Sequence, residues 1–234
     1  MVLCDWGSEI KITEKFNLTT SKNFTCVYVP SDIAFKYNRG ANYSIVHPIN
    51  TAFRRSKGKY AIWWDSDCYV KTEDFIKLYE FVKVMDETDD KKFYQGPRRH
   101  IPPEVFLGVK DYSIIDSFLE ANSSDSLVKD FVDDNNFLGC CISMLMNREL
   151  WEKSTGWWEE LTYWGWQDIE FHRRLMTKYN YGGSLDKKGI NFHHFNHHPF
   201  TPPQKFSNPP HVAAYRFEAN DENWGLVNEN LIVY

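Results

Sequence analysis

The run Tyr60-Ala61-Ile62-Trp63-Trp64 passes directly into Asp65-Ser66-Asp67. The apolar run predicts a strand, and the polar triplet ends it. Downstream, Phe75, Leu78, Tyr79, Val82 and Met85 recur at helical spacing, with Lys77, Glu80 and Lys83 between them, which predicts an amphipathic helix. Upstream, Met1 to Asp5 reads as a short strand ending in an acid, before a turn at Trp6 to Glu9. Phe24 to Val29 reads as a second strand, stopped by Pro30, and Asn38 to Arg55 as a helical segment interrupted at Pro48. Strands alternating with helices predict an α/β chain with a mostly parallel, Rossmann-like central sheet flanked by helices, in a single domain.

The second half is less regular. Asp86 to Asp90 reads as a solvated loop, and Gln95 to Val132 as a mixture of strands with a short helix near Ile114 to Leu119. Phe137 to Met146 is apolar and strand-like, and Asn147 to Thr155 suits a short helix capped by Asn147. Gly165 to Tyr179 predicts another helix, with Ile169, His172, Leu175 and Met176 on related faces. The tail beyond Pro199 is proline-rich, then polar, and ends in the apolar stretch Leu231 to Tyr234.

Composition excludes several classes. The net charge is −5 and there is no long basic run, which argues against binding nucleic acid by phosphate neutralisation. The pairs Arg54-Arg55 and Arg98-Arg99 read as local anion contacts or solvated pairs. The five cysteines are odd in number and form no C-x-x-C pair, so neither a zinc ribbon nor a disulfide framework is expected, and reduced thiols fit a cytosol. The sequons at Asn17, Asn23, Asn42 and Asn122 read as chance matches in an Asn-rich chain. No apolar run approaches the roughly 20 residues of a membrane span, so a cytoplasmic protein is expected, with any anchor lying outside this chain. The 9 Trp, 13 Tyr and 17 Phe supply core area, and the Trp and Tyr rings also suit stacking on a sugar face.

Three constellations carry chemistry. Asp65 and Asp67, at the carboxyl end of a strand, are placed to share one divalent cation, and Mg²⁺ or Mn²⁺ prefers such oxygen ligands. Alone, D-x-D is usually a chance surface pair. The second is Trp164-Gly165-Trp166-Gln167-Asp168 with Glu170, an aromatic wall at a helix start. An ionised carboxylate in that first turn suits a general base, whereas the structural reading makes Asp168 a helix cap and both Trp core residues. The third is Asn191 to His198, with four histidines between His193 and His198. Neutral imidazole ligates metals, and the competing reading is a polar loop whose histidines contact backbone. H-E-x-x-H is absent, which argues against a zinc protease.

Acidic pair, Trp/acid segment and histidines, in that order from Val2 to Pro199, resemble the GT-A glycosyltransferases, chiefly inverting family 2 and the β-1,4-galactosyltransferase and chondroitin-synthase-like group. The resemblance implies residues 1–100 as a nucleotide-sugar and metal half, 101–200 as an acceptor half and 201–234 as a tail. It implies donor contacts from Asp5, Asn38, Arg39, Gly40 and Asp65, and Mn²⁺ or Mg²⁺ held by Asp65, Asp67 and His194 or His197. It implies acceptor contacts from Trp164, Gly165, Trp166 and Glu170, with Asp168 as base. The implied partners are a nucleotide-diphosphate sugar, a UDP-sugar first, and a glycan or other hydroxyl acceptor, with transfer inverting the anomeric carbon. Gln167 stands where relatives often carry Glu, which moves the base role to Asp168. The family's first strand has no counterpart ahead of Val2: the chain is truncated, the Leu231 to Tyr234 strand substitutes, or the base pocket differs. A carboxylate-pair glycoside hydrolase and a non-catalytic carbohydrate- or nucleotide-binding module are the alternatives.

Overall fold

A computed structural model describes residues 1–108, 111–123, 127, 141–197, 207–208 and 217–234. In chain order its elements are β1 (Val2–Trp6), α1 (Ile12–Lys15), β2 (Thr25–Val29), α2 (Ser31–Asn38), α3 (Val46–Arg55), β3 (Tyr60–Trp64), β4 (Cys68–Tyr69) and α4 (Thr72–Glu87). There follow β5 (Phe93–Ile101), α5 (Pro103–Phe106), α6 (Ser113–Ala121), β6 (Cys141–Asn147), α7 (Arg148–Lys153), α8 (Gln167–Met176), β7 (Tyr181–Ser184), β8 (Phe192–Phe195) and β9 (Ile232–Val233). They form two compact units, one from Met1–Lys59, Glu149–Lys178 and Pro202–Tyr234, the other from Tyr60–Arg148 and Tyr179–Thr201.

The first unit holds a three-stranded sheet in the order β1-β2-β9. β1 and β2 run parallel from Val2↔Thr25 to Trp6↔Val29, and β9 lies antiparallel on the other edge of β2. The C-terminal apolar stretch therefore does join this sheet. Val27 and Val29 are fully buried, as β-branched residues on a covered sheet should be. α3 packs on β1. Pro48 is its third residue, within the first turn, where the missing N–H has no helical partner to lose. The helix starts at Val46 rather than Asn38: Asn38 ends α2, and residues 39–45 between the two helices are turn and loop. The ring of Phe53 stacks on Trp151 at 4.7 Å and on Trp224 at 5.9 Å.

The second unit holds a six-stranded sheet in the order β3-β6-β5-β8-β4, with β7 also on β5. The pairings β3–β6, β5–β6 and β4–β8 are antiparallel, and β5–β7 and β5–β8 are parallel. The expected Rossmann-like, mostly parallel GT-A sheet is therefore not what forms. β3, which leads into the acidic motif, pairs with β6 and does not join β1 and β2 in one parallel sheet. The physical reason is β5. Its polar middle, Gln95-Gly96-Pro97-Arg98-Arg99-His100, reads as irregular, yet it is the strand around which the sheet assembles. Pro97 sits at a register shift, where a residue without an N–H is tolerated. Gly96 is required sterically: a Cβ there would lie 2.2 Å from Ser143 Oγ and 2.7 Å from the Phe192 ring.

α4 forms where the periodicity places it, but its buried stripe differs. Leu78 and Met85 are buried and Phe81 and Val82 partly so, whereas Phe75 and Tyr79 are 53% and 58% exposed. This stripe packs with Tyr94, Leu145, Leu185, Ile190 and Phe192. Asn147 ends β6, so the following helix begins one residue later, at Arg148. Phe137 to Cys140 and most of the proline-rich tail lie outside the described residues. Cys4, Cys26 and Cys68 carry free thiols. Among the described residues, no helix is long and apolar enough to cross a membrane.

Candidate metal centre

β8 lies between β5 and β4. On one side Arg99 pairs with His193 and His100 with His194; on the other Cys68 pairs with His194 and Tyr69 with His193. Successive strand residues face opposite ways, so His193 and His194 cannot share a site. His193 is fully buried, and burial lowers its pKa to about 4. His194 faces the other way, beside His100. Two backbone bonds extend the ladder: Phe195 N donates to Asp67 O at 3.0 Å, and Asn196 N to Ile101 O at 3.0 Å. They fix Asp67, just before β4, against the strand that leads on to His197.

Asp67, His194 and His197 thus converge, each offering one ligand atom, all within 4.8 Å of one another. His194 Nε2 lies 3.3 Å and His197 Nε2 3.0 Å from the same oxygen, Asp67 Oδ2. Burial pushes the Asp67 carboxyl up, but His194 and then His197 outweigh it and hold the group at about 2. The cluster is graded in exposure: His194 is buried, Asp67 about a third exposed at 35%, and His197 open to solvent at 55%.

These residues fit a divalent cation. Ligands at right angles, about 2.1 Å from one ion, lie about 3.0 Å apart, and tetrahedral ligands about 3.4 Å apart. The two edges to Asp67, 3.0 and 3.3 Å, fall in that range, and the two histidine ligand atoms lie within 4.8 Å of each other. Asp67 Oδ1 is shielded from solvent and has no hydrogen-bond partner among the described residues, which leaves the carboxylate acceptor capacity. Two imidazoles and one carboxylate suit Mn²⁺, Fe²⁺ or Zn²⁺ better than Mg²⁺, which prefers an all-oxygen shell.

Asp65 does not belong to this trio. Its Oδ2 lies 3.4 Å from Arg98 Nη2, and its main-chain oxygen accepts from Cys68 N at 3.1 Å, closing a turn around the motif. The structure places a guanidinium, not the metal cluster, against the first acid of D-x-D.

The remaining expected site residues lie in the first unit. Asp5 is fully buried; its Oδ2 accepts from Ile12 N at 2.8 Å, and its Oδ1 has no partner among the described residues. Asn38 accepts from Trp6 Nε1 at 2.9 Å. Arg39, with φ +50°, forms an ion pair with Glu160, and its carbonyl accepts from Tyr163 Oη at 3.2 Å. Gly40, with φ +83°, completes the reversal. The expected donor segment is thus joined to the chain that leads into Trp164. That ring is 52% exposed. Gly165 and Trp166 both have positive φ, +88° and +72°, and aim the chain into α8. Asp168 is half-buried in the first turn of α8, where its Oδ1 accepts from Ile169 N at 2.9 Å.

Glu170 is placed quite differently. It and Arg174 have fully buried side chains, joined by Nε to Oε1 at 2.7 Å and Nη2 to Oε2 at 3.2 Å. The other Arg174 donors reach the carbonyls of Ser154 at 2.6 Å, Phe217 at 3.0 Å and Gly156 at 2.7 Å. All the guanidinium donors are satisfied. Glu170 therefore offers no oxygen to an acceptor. His198 lies outside the described residues.

Sequence reasoning did not single out His100, whose Nδ1 lies 3.2 Å from His194 Nδ1. Only the β5–β8 register brings these residues together, across 94 positions. No protein-family model matches the chain, and no curated protein matches it either.

Proposed function

We propose that this protein is a divalent-metal-dependent glycosyltransferase that moves a sugar from a nucleotide-diphosphate sugar, a UDP-sugar first, to a hydroxyl of a glycan or other acceptor. The observation that carries the reading is the convergence of Asp67, from a strand-terminal D-x-D, with His194 and His197. Asp67, His194 and His197 hold the ion, Mn²⁺ in preference to Mg²⁺ because two of the three ligands are imidazoles. When bound, the ion offsets the charge that grows on the leaving diphosphate. Arg98, beside Asp65, supplies a second positive group for the same anion. The sequence resemblance assigns to Asp168 the part of the base that takes the proton of the acceptor hydroxyl. That oxygen then forms a bond to the anomeric carbon from the side opposite the diphosphate, whose oxygen keeps the electrons of the broken bond. Trp164 presents an exposed ring for the acceptor sugar to stack on. Glu170, with Arg174, holds the helix that carries Asp168 and contacts no substrate.

The carboxylate-pair hydrolase draws little support, because Glu170 and Asp65 are each ion-paired to an arginine. The test is a thermal-shift screen of nucleotide diphosphates and UDP-sugars with and without Mn²⁺, followed by transfer assays on Asp67→Ala. A metal-dependent rise in Tm with a UDP ligand, and loss of transfer in the variant, is expected. Full transfer by Asp67→Ala sinks the proposal.

A further inference from the structure

His100 is the group that the metal reading leaves without a task. It lies on β5 directly opposite His194, with the two rings edge to face at 5.1 Å and 89°. The two Nδ1 atoms are 3.2 Å apart, while His194 Nε2 points at Asp67 Oδ2, 3.3 Å away. One ring thus meets a carboxylate through one nitrogen and a second imidazole through the other.

That arrangement couples two tautomers. An Nδ1···Nδ1 hydrogen bond holds one proton, so exactly one of the two Nδ1 atoms is protonated. With the His194 proton on Nε2, it donates to Asp67 and accepts from His100 Nδ1–H. The Asp67–His194 edge is then closed by an ordinary hydrogen bond. With the His194 proton on Nδ1, it donates to His100, and Nε2 presents a lone pair toward Asp67 Oδ2, as a metal requires. His100 suits both states, because its Nδ1 donates in one and accepts in the other. A fixed donor at that position would hold the site closed.

We infer that His100 is a positioning residue for the metal site, accepting the His194 Nδ1 proton in the tautomer whose Nε2 binds the cation. The inference rests on the metal reading proposed above, and its test separates the two. Co²⁺ affinity is measured by calorimetry and by the visible absorption of the bound ion, for wild type, His194→Ala, His100→Phe and His100→Asn. Phe keeps a ring but no nitrogen; the Asn amide retains both a donor and an acceptor near Nδ1. Wild type should bind one Co²⁺, and His194→Ala should not. His100→Phe should bind about 10- to 100-fold more weakly, the range typical of lost partners of metal-bound histidines. It should also show an altered Co²⁺ spectrum. His100→Asn should recover most of the affinity and the spectrum.

If wild type binds no Co²⁺, or His194→Ala binds as well as wild type, the metal reading itself fails. If His194→Ala loses binding but His100→Phe matches wild type, the metal reading stands and the His100 inference is overturned. It is also overturned if Asn is as weak as Phe, because ring packing then explains the loss. Imidazole ¹⁵N spectra of wild type titrated with Zn²⁺ give a reading that needs no variant. His194 should become protonated at Nδ1 and metal-bound at Nε2, and the opposite assignment would overturn the inference.

Discussion

Asp67 and Glu170 are both carboxylates that sequence patterns nominate for a site, and the fold treats them in opposite ways. Glu170 is sealed against Arg174, every donor of which is satisfied, in surroundings that admit no solvent. Asp67 faces two imidazoles in a cluster open on its His197 side, and one of its oxygens has no hydrogen-bond partner among the described residues. A buried charge with a complete set of partners is costly to unpair and has nothing left to give a ligand. A half-exposed charge with incomplete partners contributes little to stability and retains the capacity to bind.

The strongest way to break this contrast is to remove Arg174. Arg174→Ala leaves Glu170 buried without its partner and should lower stability by about 3–5 kcal/mol in urea unfolding. Near-wild-type stability would show that the pair is not structural. The next test contrasts histidines. Burial holds His47 at about 4 and His172 at about 3, against an ordinary 6.5, so both are neutral in the folded protein at pH 7. Their folded pKa values are depressed, so acid protonates the unfolded chain first. Stability should be intact above about pH 6.5 and fall by roughly 1.4 kcal/mol per pH unit for each histidine down to about pH 4. His47→Gln and His172→Gln should each flatten that slope in unfolding curves taken from pH 7 to 4. An unchanged slope would remove that histidine from the account.

A smaller effect is expected at the aromatic wall. Gly165 has φ +88° and open space where a Cβ would lie, so Gly165→Ala should cost about 1–2 kcal/mol from backbone strain alone. Calorimetry showing no loss would mean that the chain entering α8 adjusts freely. The smallest effect on stability is expected at Asp67. Without metal, Asp67→Asn should change stability by less than about 1 kcal/mol, as for other partly exposed ion pairs. The same variant should lose the rise in Tm that Mn²⁺ gives wild type. A large loss of stability without metal would place Asp67 in the same structural class as Glu170.

Local pattern found β3, α4 and the helix of the Trp/acid segment, because each has its own periodicity or caps. It also marked the Asp65–Asp67 pair and the histidine segment His193 to His198, and the resemblance pointed within them to Asp67 and to His194 or His197. It did not find β5, where Gln95, Arg98, Arg99 and His100 interrupt any apolar alternation, and without β5 the sheet could not be assembled correctly. It assigned Glu170 to an acceptor role because the sequence does not mark Arg174, one helical turn later, as a buried partner. Both acids of D-x-D read as metal ligands, Asp65 also as a donor contact, and what separates them in the fold is Arg98, brought in from another strand.

The sequence by itself determined where several strands and helices form and where side chains able to ligate a metal cluster along the chain. Tertiary structure decided which of those side chains meet. Strand pairing is set by contacts distant along the chain, and the two-residue alternation of β8 sends His193 into the interior and His194 toward Asp67. Burial then decided the fate of each carboxylate, because a charge removed from water must be fully paired. That requirement holds Glu170 on Arg174 and leaves Asp67 open to a cation.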